Sequence, residues 1–214
     1  MDLDLTEDQE AIRDVFADFF TSETGPERAR AAEPVGFDAA AWERLMETGA
    51  PGMGVDADLG GGGASLADLA VVAEEAGARI APLPLVDHQV TARLLANMGG
   101  CDDDVLSGAA IAGLAVRPIE DGTARTVPTG AVAGRLAALD GDRLIAVDGP
   151  PGDPLANHGC LPLAHREVGE ATVLAKGPEA VAAYDRALDE WRTLTASTLV
   201  GITRTALDLG VAYV

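Results

Sequence analysis

Apolar positions return at a helical interval through the first hundred residues. The stretch "LTEDQEAIRDVFADFF", starting at Leu5, sets Thr6 and Gln9 in capping-box spacing and puts Ile12, Val15, Phe16 and Phe19 on one face. After a loop around Gly25 and Pro26, "FDAAAWERLMETG" offers Asp38 as N-cap, Trp42, Leu45 and Met46 as an inward face, and Gly49 as the stop. A third helix is expected from Ser65 to about Ala78, with Ser65 capping and Asp68 in the first turn. Beyond Pro82 and Pro84 a fourth turns Val86, Val90, Leu94 and Leu95 inward. Residues 1–104 therefore read as an all-α domain.

The pattern then changes. Short apolar runs, "AAIAGLAV", "AVAGRLAAL", "RLIAV" and "ATVLA", are separated by Gly, Pro and Asp. Propensity alone leaves helix open for the alanine-rich pieces, but their length and the density of breakers argue for strands, so residues 105–177 read as a small β-domain. From Pro178 the helical interval resumes, with Ala187, Trp191, Leu194, Leu199, Ile202, Ala206 and Leu209 recurring along residues 178–214. At about 1.5 Å per residue that helix would be about 55 Å long, more than a lone helix over a small β-domain needs. It reaches Val214 without a Gly, Asn or Pro stop, so the pattern expects partner elements and further chain.

Composition narrows the partners. At 214 residues the chain suits one large domain or two modest ones, and at 4% aromatics its core must rest on Ala, Val and Leu, which favours closely packed helices. The net charge of −20, with Lys176 as the sole lysine, repels nucleic acid and anionic membranes. An anionic ligand would need an arginine cluster or a more basic partner chain. Cys101 and Cys160 lack C-x-x-C spacing and the N-terminus lacks a basic-then-apolar signal, which predicts a cytoplasmic protein with reduced thiols. No apolar run reaches the roughly 20 residues of a membrane span.

Candidate chemistry is sparse. In "DLGGGGASLADLAVVAEEAG" four consecutive glycines run into a helix, as a phosphate cradle would. No lysine follows Gly60 to Gly63, however, and the preceding segment is broken by Gly49, Pro51, Gly52 and Gly54, so a turn is expected. His88, His158 and His165 have no metal-site spacing and read as surface or hydrogen-bonded histidines. Asp102 to Asp104 read as a solvated loop, and Ser65 and Ser107 lack a nucleophile-elbow context.

Helical domain, small β-domain and long helix, in that order, resemble the acyl-CoA dehydrogenase family along the whole chain. "LDLTEDQEAIRDVFADFF" is similar to its opening helix, and "WERLMETGAPGMGVDADLGGGGASLADLAVVAEEAGARIAPLPL" to its glycine-turn segment and the helix behind it. "EWRTLTASTLVGITRTALDLGVAYV" resembles the first helix of its C-terminal helical domain. The resemblance implies an α+β multidomain fold: an N-terminal helical domain, a small β-barrel or sandwich, and the start of a helical bundle. It implies an oxidoreductase of fatty-acid or sterol catabolism that dehydrogenates an acyl-CoA thioester with FAD and assembles as a homo- or hetero-oligomer through the C-terminal helices. It places the glycine turn, with Leu59, Gly61 and Gly63, near the acyl end of the substrate pocket.

The departures fall on the cofactor. Where the family carries A-L-T-E-P followed by G-S-D, this chain has "LAVRPIEDG". Ala115, Val116 and Arg117 thus form a degenerate flavin-contact segment, since valine has no hydroxyl to donate. The link "IEDGTARTVPTG" reads as too short for the strands that carry W-I-S/T. The family's base and its R-x-x-F-G-x-x-Q would lie beyond Val214. Two expectations follow: the chain is a portion of an acyl-CoA dehydrogenase, or it is a non-catalytic subunit of a heteromeric one. On either, it should not retain FAD or show dehydrogenase activity alone, and no metal is expected.

Overall fold

In the computed structural model, residues 4–214 are described; the first three residues of the expected N-terminal domain lie outside them. Helix α1 (Glu7–Glu23) starts where Thr6 accepts from the Gln9 backbone and Gln9 returns the bond, the reciprocal arrangement that satisfies two otherwise orphaned amides. Its buried face is Phe16 and Phe20, one turn apart, flanked by Ile12 and Phe19. Val15, expected on that face, is 61% exposed, because the contact stripe centres on Phe16 and Phe20. The expected loop after it contains a short helix, α2 (Pro26–Ala31), with Gly25 at the cap and Pro26 pre-set for the first turn.

Helix α3 (Ala39–Glu47) is capped by Asp38 and buries Trp42 and Leu45, with Met46 only partly covered. Gly49 then adopts φ +75°, where a side chain would be strained. Helix α4 (Leu66–Ala78) carries the Ser65–Asp68 capping box, and α5 (Leu85–Asn97) buries Val90, Leu94 and Leu95 while Val86 stays half-buried. Asp102 to Asp104 are not a loop. Asp102 caps a short helix, α6 (Asp103–Ser107), through the Val105 amide at 3.0 Å and also pairs with Arg135 at 2.7 Å.

Six strands follow: β1 (Ala112–Leu114), β2 (Thr123–Val127), β3 (Arg135–Asp140), β4 (Arg143–Asp148), β5 (Ala164–Glu167) and β6 (Thr172–Lys176). One sheet has the order β1-β3-β4-β6, with β1 parallel to β3 and the rest antiparallel. Strands β2 and β5 form a separate antiparallel ribbon. The link that reads as too short for the strands that carry W-I-S/T nevertheless holds a strand: β2 buries Ala124 and Val127 with Arg125 exposed between them, and Val127 pairs with Ala164 across a bulge.

Helix α7 (Pro178–Tyr213) unites the two parts. Its first half buries Ala180, Ala183, Tyr184, Ala187, Leu188 and Leu194 in a core shared with α4, α5 and the inner face of the sheet. Its second half differs from expectation: Leu199, Ile202 and Leu209 are 57%, 37% and 68% exposed, while Gly201, Arg204 and Thr205 are the positions that meet α4. Tyr184 donates its hydroxyl to the Ala115 carbonyl at 2.8 Å in this core. Tyr184→Phe leaves that carbonyl unpaired and is expected to cost about 1–2 kcal/mol in a urea titration; an unchanged midpoint would contradict this.

Candidate functional site

A cavity of about 580 Å³ opens between the C-terminal end of α4, the start of α5, the 158–162 loop and α7. This is within the roughly 300–1,000 Å³ range of small-molecule sites. Most of its wall is apolar, supplied by Ile80, Leu83, Leu85, Pro162 and Ile202 among others. Arg30, Glu33 and His158, all exposed, stand at its rim.

The geometry of α4's end shapes the wall. The Ala81 amide bonds the Ala76 carbonyl and the Ile80 amide bonds that of Gly77, the two bonds of a Schellman stop. The left-handed position in that motif usually belongs to glycine, yet here it holds Ile80 at φ +46°. A β-branched residue there costs about 1–2 kcal/mol, and Ile80 forms part of the cavity wall.

Asp87, in the first turn of α5, is the acid within the wall. Trp191 on α7 donates its indole N–H to the carboxylate at 2.8 Å. Burial pushes this carboxyl up to about 6, against the lowering effect of the indole. The next residue points the other way. His88 is fully buried: its Nδ1 accepts from the Ala112 amide at 3.0 Å, which leaves Nε2–H to donate to the Val105 carbonyl at 3.0 Å. Burial pulls it down to about 4, so it is a neutral staple joining α5 to α6 and β1. His165 Nδ1 accepts from the Thr126 amide at 3.0 Å. Among the described residues no group of three His, Cys, Asp or Glu side chains is placed to hold a metal ion.

The glycine turn and residues 115–117 lie elsewhere, whereas His158 and Cys160 are in the cavity lining. In the glycine turn the amides of Gly61, Gly62, Gly63 and Ala64 are taken by the carbonyls of Asp56, Gly52, Val55 and Met53, so these amides are not free for a phosphate. A Cβ on Gly61 would lie 2.2 Å from the Val55 carbonyl oxygen, which accounts for glycine there. Leu59 is exposed, and neither it nor Gly61 nor Gly63 lines the cavity. Ala115 is buried, with its N–H on the Ala137 carbonyl and its C=O under Tyr184. Val116 is half-buried and Arg117 exposed. The valine side chain has no donor and both backbone polar groups of Ala115 are engaged, so neither of these two residues fits a flavin contact.

Residues 6–101 match the family model "Acyl-CoA dehydrogenase, N-terminal domain". A similar curated protein, acyl-CoA dehydrogenase IpdE2 of Mycolicibacterium smegmatis, is 28% identical over 98% of this chain and 65% of its own length. Residues 6–101 thus belong to the N-terminal domain of the acyl-CoA dehydrogenase family. The IpdE2 of Mycobacterium tuberculosis is 30% identical over 61% of the chain and 44% of its own length. The chain therefore spans less than two thirds of the curated relatives it matches. Among solved structures, the ChsE4-ChsE5 complex from Mycobacterium tuberculosis superposes with a TM-score of 0.83 at 20% identity, over 100% of this chain and 68% of that one. A variant of the Tcur3481-Tcur3483 steroid ACAD gives 0.80 at 24% identity, over 97% and 66%. These likenesses show the acyl-CoA dehydrogenase fold: helical N-terminal domain, small sheet region and C-terminal helix. No helix of the described residues is long and apolar enough to cross a membrane.

The signals for the cavity are faint in the sequence. Asp87 is one acid among many, and Trp191 sits in an ordinary helical stripe. Only the fold, by laying α7 over α5, makes them partners across 104 positions.

Proposed function

We propose that this chain serves in the FAD-dependent α,β-dehydrogenation of an acyl-CoA thioester, with 1–104, 105–177 and 178–214 as its N-terminal helical, middle β and first C-terminal helical parts. The observation that carries the proposal is the combination of the family fold with the apolar cavity beneath α7. The reading places the acyl part of the substrate in that cavity and the work in the cytoplasm. On this reading further flavin contacts are needed from elsewhere, because Ala115 and Val116 do not provide them.

A partner subunit is the favoured source. The ChsE4-ChsE5 neighbour is a complex of two named chains, and a net charge of −20 on this chain suits a more basic partner. This chain would then be the non-catalytic member of a heteromer, joined through its C-terminal helix. The test is co-purification together with a visible absorption spectrum. Alone, after incubation with excess FAD and desalting, the chain is expected to be colourless; with its partner, flavin should co-elute with both. A yellow, monomeric chain that reduces an electron acceptor with an acyl-CoA would sink the proposal.

A further inference from the structure

Five consecutive residues, His158 to Pro162, line one side of the cavity, and they belong to a loop whose ties are unevenly placed. The loop's ends meet: the Leu155 amide donates to the Leu163 carbonyl at 2.8 Å, and Pro154 bridges Ala164 of β5. Its base is pinned to the β-domain, where the Ala131 amide donates to the Pro162 carbonyl at 3.0 Å. One side chain ties the interior. Asn157 donates to the carbonyls of Leu155 and Leu161 at 2.9 and 2.8 Å and accepts from the Leu161 amide at 3.0 Å. A closed loop that carries its own bonds keeps its shape when it moves. Toward the helical domain the ties stop. Among the described residues, no hydrogen bond or ion pair joins residues 155–163 to residues 4–104. The contact there is a close approach of backbones: a Cβ on Gly36, which sits at φ +76°, would overlap the Cys160 carbonyl. Cys160 is itself at φ +47°, uncommon for a residue with a side chain, and it is the loop residue that meets Gly36. Segments held by few hydrogen bonds open at the least cost.

We propose that residues 155–163 form a flap over the cavity: anchored on the β-domain, it swings as one body away from the helical domain and closes against Gly36. The flap governs access to the cavity and does not depend on what the cavity binds. Gly36 sets the closed position, because only a residue without a Cβ lets the Cys160 carbonyl come so near. Asn157 sets the flap's shape. Opening breaks no hydrogen bond on the helical side, while closing shelters the apolar wall of Ile80, Leu83 and Leu85, so apolar burial favours the closed form. Closure of this kind excludes water from a site and gates entry and release.

The experiment follows the thiol of Cys160 in the full 214-residue chain, with Cys101 as reference. Both are half-buried, but Cys101 adjoins the cap of α6, outside the cavity. Labelling by N-ethylmaleimide is read for each cysteine by peptide mass spectrometry. Gly36→Ala sets a methyl group against the closed flap, and an overlap of this kind shifts an opening equilibrium roughly tenfold or more. Cys160 should be labelled faster by about that factor while Cys101 keeps its parental rate. The Leu161 amide, bonded inside the flap, should keep its hydrogen-exchange protection in Gly36→Ala and lose it in Asn157→Ala, which separates a swinging flap from a melting loop. Acrylamide should quench Trp191, which lines the cavity, more strongly in Gly36→Ala; Trp42 is buried outside the cavity. In Gly36→Ala, a parental Cys160 rate, a Cys101 rate that rises in step, a Leu161 amide that loses protection, or unchanged quenching would each overturn the proposal. None of these bears on flavin retention with a partner subunit, so the failure of one reading is distinguishable from the failure of the other.

Discussion

Gly201→Ala is expected to lower the melting temperature by about 6–12 °C, whereas Gly210→Ala on the same helix should raise it slightly. The difference lies in what each Cβ meets. At Gly201 it would stand 1.9 Å from the Glu74 carbonyl oxygen of α4, and at Gly77, across the crossing, 2.0 Å from that of Thr198. These are backbone atoms of two packed helices, so neither contact is relieved by a rotamer change. The helices would have to part, loosening the Arg204 pairs to Glu74 and Glu75 and the Thr205 hydroxyl on the Ala78 carbonyl at 3.0 Å. Overpacking of this kind costs about 3 kcal/mol, and each kcal/mol shifts a domain of this size by roughly 2–4 °C. Gly210 has nothing within 4 Å of its Cβ position; there alanine's better helix propensity should gain up to about 1 kcal/mol. Thermal unfolding of the two variants checks this. A Gly201→Ala protein melting at or above the parent would show that the crossing is not set by these glycines.

The same two glycines mark the boundary of what the sequence discloses. The Thr6–Gln9 capping box, the Ser65 and Asp38 caps and the Gly49 stop are local chemistry, written within four residues, and each was legible as such. So was the family, because helix, glycine turn and long helix keep their order. What escapes is whatever depends on elements meeting across the chain. Gly77 and Gly201 look like weak points in helices until α4 and α7 are laid together. Strand β2 has too few apolar residues to announce itself and is fixed by its pairing with β5. The outward turn of Leu199, Ile202 and Leu209 depends on which positions of α7 meet α4, namely Gly201, Arg204 and Thr205, and no periodicity on α7 records that choice. The cavity is the extreme case, since residues from 26–36, 76–87, 158–162 and 191–202 together with Pro128 build it, and its acid and indole are far apart in sequence.

Asp87 and His88 adjoin in sequence but are shifted in opposite senses, so the stability of the parent protein is expected to be nearly independent of pH between about 4 and 6. His88 falls from 6.5 to about 4 on folding. Between those values the unfolded chain binds a proton that the folded one refuses, so stability rises with pH and the contribution is complete above 6.5. Asp87 rises from 3.8 to about 6. In its window the folded protein holds the extra proton, so the contribution is complete below 3.8 and is lost as pH climbs through 6. At about 1.4 kcal/mol per unit, each effect is about 3 kcal/mol, and over the shared range the slopes cancel. Asp38, Asp68 and Asp102 are held below the ordinary carboxylate value of 3.8, so their contributions fade only under that pH and leave the window clear. Removing one partner should expose the other. Asp87→Asn is expected to lose about 3 kcal/mol as pH falls from 6.5 to 4, and His88→Gln about the same amount as pH rises from 4 to 6. Urea midpoints measured at half-unit intervals for the three proteins decide the matter: parallel profiles would mean that burial shifts neither group, while slopes of opposite sign in the two variants over a flat parent are the expected result.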